Sequence, residues 1–350
     1  MRYIIVGAGA IGGTIGARLF ESGHEVVLTA RGAHLAALRD GGLRFASPDG
    51  AVTLPVPAVA GPDELTLGPD DVLILAVKTQ DSAAALDAWA WQPVTGGGVA
   101  AQTLPVFCAQ NGVASERLAL RRFRRVYAVS VWLPATHLEP GAVQAQGTPM
   151  SGLLPVGRYP SEADDTARQV AADLAASRFL APVSAEVMRL KYGKLLSNLG
   201  NAVQAVFGVD APDRDRDGHP DSDRDGHRDV AAQLRGRARA EGAAVLAAAG
   251  IDHASPQEQA ELRGDQVKVA PADGAPRGGG SSWQSLRRGT GSIEADYLNG
   301  EIVLLGREHG VPTPVNELLQ RLANQFARDR RAPGSITAAE AAALAGLVSA

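Results

Sequence analysis

The chain has 350 residues, 45% of them hydrophobic and 21% charged, with a formal net charge of −4. That length accommodates two domains, each with its own core. A mildly acidic balance without a long basic block argues against nucleic acid or an anionic membrane as partner, and no apolar stretch is long enough to span a bilayer. The single cysteine, Cys108, has no internal disulfide partner and lies in an apolar run, so a buried inert thiol is expected. The apolar N-terminal run belongs to a phosphate-binding turn rather than to a cleavable signal, and a cytoplasmic location is expected.

Arg2–Val6 is short, apolar and β-branched, as a buried parallel strand should be. It leads into Gly7-Ala8-Gly9-Ala10-Ile11-Gly12, a helical pattern to Gly23, and a second strand-like run, Glu25–Thr29. Strand, G-x-G-x-x-G, helix, strand is the pattern of a Rossmann-type dinucleotide-binding unit. Gly7 permits the tight turn, Gly9 lets backbone approach a pyrophosphate, and Gly12 lets helix and strand pack closely; the phosphates sit at the helix N-terminus. An NAD-preferring site usually carries an acid at the end of the second strand to bind the ribose hydroxyls. This chain has Thr29-Ala30-Arg31, and its next acid, Asp40, is too distant. The guanidinium fork of Arg31 suits a 2′-phosphate, so NADP(H) is the expected cofactor.

A helix over 33–40 and a hairpin around Ser47-Pro48-Asp49-Gly50 follow. A buried strand at 71–77 ends on Lys78-Thr79-Gln80, a helix covers 82–89, and a strand at 106–109 delivers Gln110-Asn111-Gly112. Strands alternating with helices imply an α/β fold with a mostly parallel sheet, and loops at the carboxyl ends of its strands line the ligand crevice, which places Lys78 and Asn111 near the cofactor. Further strands are expected at 126–132, 143–146 and 153–156, with a helix over 161–176. From Ser184 the chain reads as helix: 186–206, 230–249, 256–269, 293–309 and 315–327. An N-terminal Rossmann-type domain over 1–183 is therefore followed by an all-helical domain over 184–335. Thr337-x-x-Glu340 opens a small helical tail at 336–350. Residues 210–229 repeat Asp-Arg-Asp-Gly-His. Asp213, Asp215 and Asp217, then Asp221, Asp223 and Asp225, imitate the opening of calcium loops, but Arg224 and Ala232 occupy the twelfth positions where a Glu ligand is required. A solvated interhelical loop without metal is the expectation.

The motifs Gly7 to Gly12, Ala76-Val77-Lys78-Thr79-Gln80, Gln110-Asn111-Gly112, Lys194-Leu195-Leu196-Ser197-Asn198, Ser281-Ser282-Trp283-Gln284-Ser285 and Glu294-Ala295-Asp296-Tyr297-Leu298-Asn299-Gly300 occur in an order and spacing that resemble the ketopantoate reductase (2-dehydropantoate 2-reductase) family over residues 1 to about 327. The resemblance implies hydride transfer from NADPH to the ketone carbon of a small branched 2-oxo acid, most simply 2-dehydropantoate to pantoate in pantothenate biosynthesis. It implies Lys194 as general acid and Glu294 as the acid bonded to the reacting oxygen. It also implies substrate contacts from Asn198, Asn201, Ser282 and Asn111, and cofactor contacts from Lys78 and Asn111. By pattern alone Lys194 reads as a snorkelling helix lysine, Glu294 as a helix-surface acid and Ser282 as an N-cap. Lys191 competes for the lysine position, but only Lys194 has an asparagine, Asn198, one helical turn on.

Two departures affect substrate recognition. The family commonly has a second asparagine eight residues after the lysine; here Ala202 stands there and Asn201 comes one place early. It also often has asparagine three before the substrate serine, where this chain has Gly279. A dehydrogenase for another 2-oxo acid, hydroxy acid or imine, and a non-enzymatic NADP(H) sensor, are the alternatives; a sensor would need neither Lys194 nor Glu294. A nucleophile elbow and paired zinc ligands are both missing from the sequence. A homodimer is compatible with the resemblance.

Overall fold

A computed structural model describes residues 1–208, 221–274, 278–337, 339–341 and 343–344. In the first strand, Arg2–Val6, side chains alternate between two cores: Tyr3 and Ile5 enter one, Ile4 and Val6 the other. Asp71–Leu75 divides the same way, with Val72 and Ile74 on the first side and Leu73 and Leu75 on the second. Strands covered on both faces need no polar alternation, hence their continuously apolar runs. Cys108 belongs to the second core; it is a free, buried cysteine, and burial holds its thiol well above the usual value.

The seven-stranded sheet runs, edge to edge, Val156–Arg158, Arg125–Val129, Pro105–Cys108, Asp71–Leu75, Arg2–Val6, Glu25–Thr29 and Ala58–Val59. Every pair is parallel except the one at the Val156–Arg158 edge. Its six parallel strands follow the 3-2-1-4-5-6 order of a doubly wound sheet, with the topological switch between Arg2–Val6 and Asp71–Leu75. The expected hairpin forms from Leu43–Ser47 and Gly50–Leu54, in a four-stranded sheet with Ala142–Ala145 and Ala135–Thr136.

Over the described residues the chain forms two compact units, Met1–Gly193 with His253–Arg277, and Lys194–Asp252 with Gly278–Ala350. It passes from the first to the second at Gly193, not at the expected residue 183. The early turns of the helix Val187–Asn198 are anchored in the first unit. Arg189 is ion-paired to Glu258 at 2.7 Å, and a Cβ on Gly193 would lie 2.3 Å from the Ala254 carbonyl oxygen.

Four of the expected helices differ from those found. The 186–206 pattern splits into Val187–Asn198 and Asn201–Phe207, separated by Leu199-Gly200. The 256–269 pattern ends at Arg263, where Gly264 turns to φ +51°, and the β-branched Val267–Val269 pairs as a strand with Gly147–Pro149. The 293–309 pattern becomes a 3₁₀ turn, Glu294–Tyr297, and a helix, Asn299–His309. The fourth helix begins at Asp221 rather than 230 and runs to Ala248, so the expected loop is helical from Asp221 onward; no proline follows Pro220 to stop it. Asp213, Asp215 and Asp217 lie outside the described residues. In the tail, Thr337 and Glu340 exchange the bonds of a capping box, the Glu340 amide donating to Thr337 Oγ1 at 3.2 Å and the Thr337 amide to the Glu340 carboxylate at 2.8 Å.

Glu258 carries a pH-dependent contribution. Arg189 and the Ser255 amide and hydroxyl hold its carboxyl at about 2, below the ordinary 4.5. A depressed folded-state value means stabilisation that is complete above the ordinary carboxylate range and is lost as pH falls from about 4.5 towards about 2. Because the group is exposed, the effect is small. Glu258→Gln should lower the urea midpoint slightly at pH 7, and the difference from wild type should shrink steadily between pH 5 and pH 3 in urea titrations. A pH-independent difference would refute the assignment.

Candidate active site

The strand ends are in register: Val6 aligns with Thr29 and with Leu75, and Leu75 with Cys108. The loops that follow therefore leave the carboxyl-terminal end of the sheet together, carrying Gly7 to Gly12, Arg31, Lys78 and Asn111. Gly7 has φ +105°, and a Cβ there would lie 2.7 Å from Val77 Cγ1. A Cβ on Gly12 would lie 2.1 Å from the Gly7 carbonyl oxygen. On Gly9 it would meet nothing within 4 Å. Gly9 is also the N-cap of the helix Ala10–Glu21, with no side-chain cap and no acid in the first turn. Ala10 and Ile11 open that helix, so its first N–H groups face an open cradle of the kind a pyrophosphate fills, and the residues fit a dinucleotide.

The loop is held by two residues whose part was not apparent in the sequence. Thr29 accepts the Gly7 amide on Oγ1 at 3.0 Å and the Ala8 amide on its carbonyl at 2.8 Å. His34 Nε2 donates to the Ala8 carbonyl at 2.8 Å, while Nδ1 accepts the Gly141 amide at 2.9 Å. A backbone amide only donates and a carbonyl only accepts, so these bonds fix His34 as the neutral Nε2–H tautomer. Arg31 is exposed at the N-cap of Gly32–Gly41, and its guanidinium makes no ion pair with the described residues.

Lys78 and Asn111 sit on turns that are bonded together. Thr79 Oγ1 donates to the Asn111 carbonyl at 3.4 Å. The buried Gln110 staples both turns, its Nε2 donating to the Val77 carbonyl at 2.7 Å and to Ser82 Oγ at 2.8 Å. The ammonium of Lys191, the competing lysine, is buried, ion-paired to Glu116 and donates to the Gln110 carbonyl at 3.0 Å.

In the second unit, Lys194 and Asn198 lie one turn apart on Val187–Asn198, and Asn201 opens the next helix. The buried Asn299, five residues after Glu294, donates from Nδ2 to the Leu199 carbonyl at 3.1 Å and to Asn316 Oδ1 at 3.0 Å. This ties the end of the lysine helix to the segment carrying Glu294. Glu294 is buried, opens the 3₁₀ turn, and opposes through its charge the lowering that burial imposes on Arg288. Ser282 is buried at the second position of Ser281–Arg287; the N-cap is Gly280, so Ser282 is not a cap. The Gly280 amide donates to Gln204 Oε1 at 2.7 Å, and a Cβ on Gly280 would lie 3.8 Å from Asn201 Oδ1, which brings Asn201 to the start of the serine helix. At Gly279 a Cβ would lie 2.2 Å from Trp283 Cγ. The indole fills the space an asparagine side chain would need, which accounts for that departure.

Among the described residues no helix is long and apolar enough to cross a membrane, and no group of three or more His, Cys, Asp or Glu could hold a metal ion.

A doubly wound sheet with this glycine cradle, joined to a second unit of helices, is the build of a dinucleotide-dependent oxidoreductase. Residues 3–160 match the family model of ketopantoate reductase PanE/ApbA, and residues 186–327 match that of its C-terminal part. The chain belongs to the ketopantoate reductase PanE/ApbA family and is an oxidoreductase that reduces 2-oxo acids with a nicotinamide dinucleotide. A 2-dehydropantoate 2-reductase of Halobacterium salinarum is 29% identical over 94% of this chain and 100% of its own. The crystal structure of a PanE/ApbA family ketopantoate reductase from Ralstonia eutropha JMP134 is 27% identical, with a TM-score of 0.71 over 95% of this chain and 100% of that one. D-mandelate dehydrogenase, solved with NADH and anilino(oxo)acetate, shares the fold at 22% identity, with a TM-score of 0.75 over 94% of this chain and 99% of that one.

Proposed function

We propose that the protein reduces 2-dehydropantoate to pantoate with NADPH, a step of pantothenate biosynthesis. The observation that carries this reading is the linkage inside the second unit: Asn299 joins the Lys194–Asn198 helix to the Glu294 turn, while Gly280 joins the Asn201 helix to Ser282. NADPH, when bound, supplies a hydride to the ketone carbon. The chain's residues do the rest. The Gly7 to Gly12 cradle binds the pyrophosphate, Arg31 the 2′-phosphate, and Lys78 and Asn111 the cofactor, with Asn111 also towards the substrate. Ser282 holds the substrate carboxylate, with Asn198 and Asn201 beside it. Lys194 Nζ gives its proton to the oxygen as negative charge develops there, and Glu294 hydrogen-bonds that oxygen and the hydroxyl formed from it.

NADPH oxidation by the purified enzyme against a panel of branched and aromatic 2-oxo acids tests the substrate. The highest kcat/KM is expected for 2-dehydropantoate. Gly279 and the Trp283 indole that displaces an asparagine favour a second reading, another 2-oxo acid in the same reaction, and a higher kcat/KM for an aromatic acid would establish it.

Cofactor choice is tested at Arg31. A charge-assisted contact to the 2′-phosphate contributes about 1.5–3 kcal/mol. Arg31→Ala should therefore raise the NADPH KM by about 10- to 100-fold and leave the NADH KM nearly unchanged. Equal losses with both would show that Arg31 does not read the phosphate.

A further inference from the structure

Lys191 and Glu116 form an ion pair whose side chains are 2% and 0% exposed. Glu116 Oε2 and the neighbouring Gln110 Oε1 are buried without a hydrogen-bond partner. Stability does not explain such a pair: removing two charges from water costs several kcal/mol each, and apolar replacements of similar volume are often neutral or stabilising. The pair's other contact is more informative. Lys191 Nζ donates to the Gln110 carbonyl at 3.0 Å, and the Gln110 side chain grips the Val77 carbonyl and Ser82 Oγ. Gln110 immediately precedes Asn111, and Val77 immediately precedes Lys78. Both turns that carry cofactor-facing residues therefore hang on one glutamine, whose backbone is fixed by one buried ammonium.

We propose that Lys191 is a positioning residue: ion-paired to Glu116, it sets Gln110 and through it the turns that present Asn111 and Lys78 to the cofactor. This rests on the reading of Asn111 and Lys78 as cofactor contacts. A buried carbonyl accepts from any donor, but the ammonium reaches the Gln110 carbonyl and the Glu116 carboxylate at once. The same geometry gives the two lysines of the helix separate work. Lys191 acts through the fold, and Lys194, one turn on, is left for the substrate.

The test removes both charges together. The double variant Lys191→Met/Glu116→Leu leaves no unpaired buried charge, so its Tm should stay near that of wild type, while Lys191→Met alone should be clearly destabilised. The double variant should nevertheless bind NADPH about 10- to 100-fold more weakly by fluorescence titration, as expected when positioning groups shift by a fraction of an ångström. Asn111→Ala is measured beside it. If Asn111→Ala leaves NADPH affinity and turnover unchanged, the reading of the turn as a cofactor contact fails. If Asn111→Ala is impaired while the double variant binds like wild type, the positioning role of Lys191 is overturned. Should the double variant not fold, Ser82→Ala loosens Gln110 from its other end; a wild-type NADPH affinity there overturns the proposal, and a severalfold loss at unchanged Tm upholds it.

Discussion

Lys194→Ala should lower kcat by about 10²- to 10⁴-fold, the range for a positioned proton donor. Hydride arrival at the carbonyl carbon leaves an alkoxide, and in the variant only water or a distant group protonates it. NADPH affinity should barely change, because the residues proposed to hold that ligand, Gly7 to Gly12 and Arg31, belong to the first unit, whereas Lys194 belongs to the second. Lys194→Arg separates charge from proton transfer: the guanidinium keeps a positive charge but does not release its proton near neutral pH. It should stay far below wild type. Glu294→Ala should act on the keto-acid step as well, through the loss of a buried hydrogen-bonding group. Stopped-flow measurement of the hydride step, with NADPH affinity determined separately, checks all three. Turnover of Lys194→Ala at near wild-type rate with any accepted 2-oxo acid would remove this mechanism, and loss of NADPH binding would instead place Lys194 at the cofactor.

Gly12→Val should disrupt the glycine turn of the first unit. Even the first added carbon would lie 2.1 Å from the Gly7 carbonyl oxygen, 2.8 Å from Ile5 Cγ2 and 3.0 Å from Ala76 Cβ. The nearest of these is backbone of the glycine turn itself, so relief requires displacing the loop. Overpacking of this kind costs about 1–3 kcal/mol or more, and NADPH affinity should fall by at least about 100-fold because the displaced atoms form the cradle proposed for the phosphates. Gly9→Ala is the informative contrast. Its added carbon meets no protein atom within 4 Å, so Tm should be unchanged. NADPH binding should still weaken, since the new methyl occupies the space proposed for the pyrophosphate. A Gly9→Ala protein with full NADPH affinity would show that the phosphates bind elsewhere.

How much of this was legible in the sequence depends on how far apart the interacting residues lie. The glycine turn was fully legible because its geometry is local: Gly7, Gly9 and Gly12 each have the surroundings their spacing implies. The substitution of Thr29 for an acid was visible. Its use as a double acceptor for the turn was not, because that needs a partner 22 residues away. Helical periodicity located the second unit but passed over its breaks: Leu199-Gly200 reads as apolar helix, and Leu298 interrupts an unbroken pattern only through its backbone angles. The strand Val267–Val269 was missed because pairing with Gly147–Pro149, rather than the apolar pattern, decides it. At the candidate site, nothing in the sequence near Lys191 announces a carboxylate partner 75 positions earlier.

The route of the chain through its two units bears on how the protein is made. The first unit is completed by Val267–Val269, while the helices from Lys194 to Ala248 intervene. On a ribosome those helices emerge before the partner of Gly147–Pro149 exists, so the sheet-bearing unit completes its pairing only after much of the second unit has been made. A fragment cut at Gly193 would leave that strand unpaired at an open edge, exposed to association with another chain. Independent expression of the sheet-bearing unit therefore requires splicing two stretches of sequence, with a short linker replacing the segment between them.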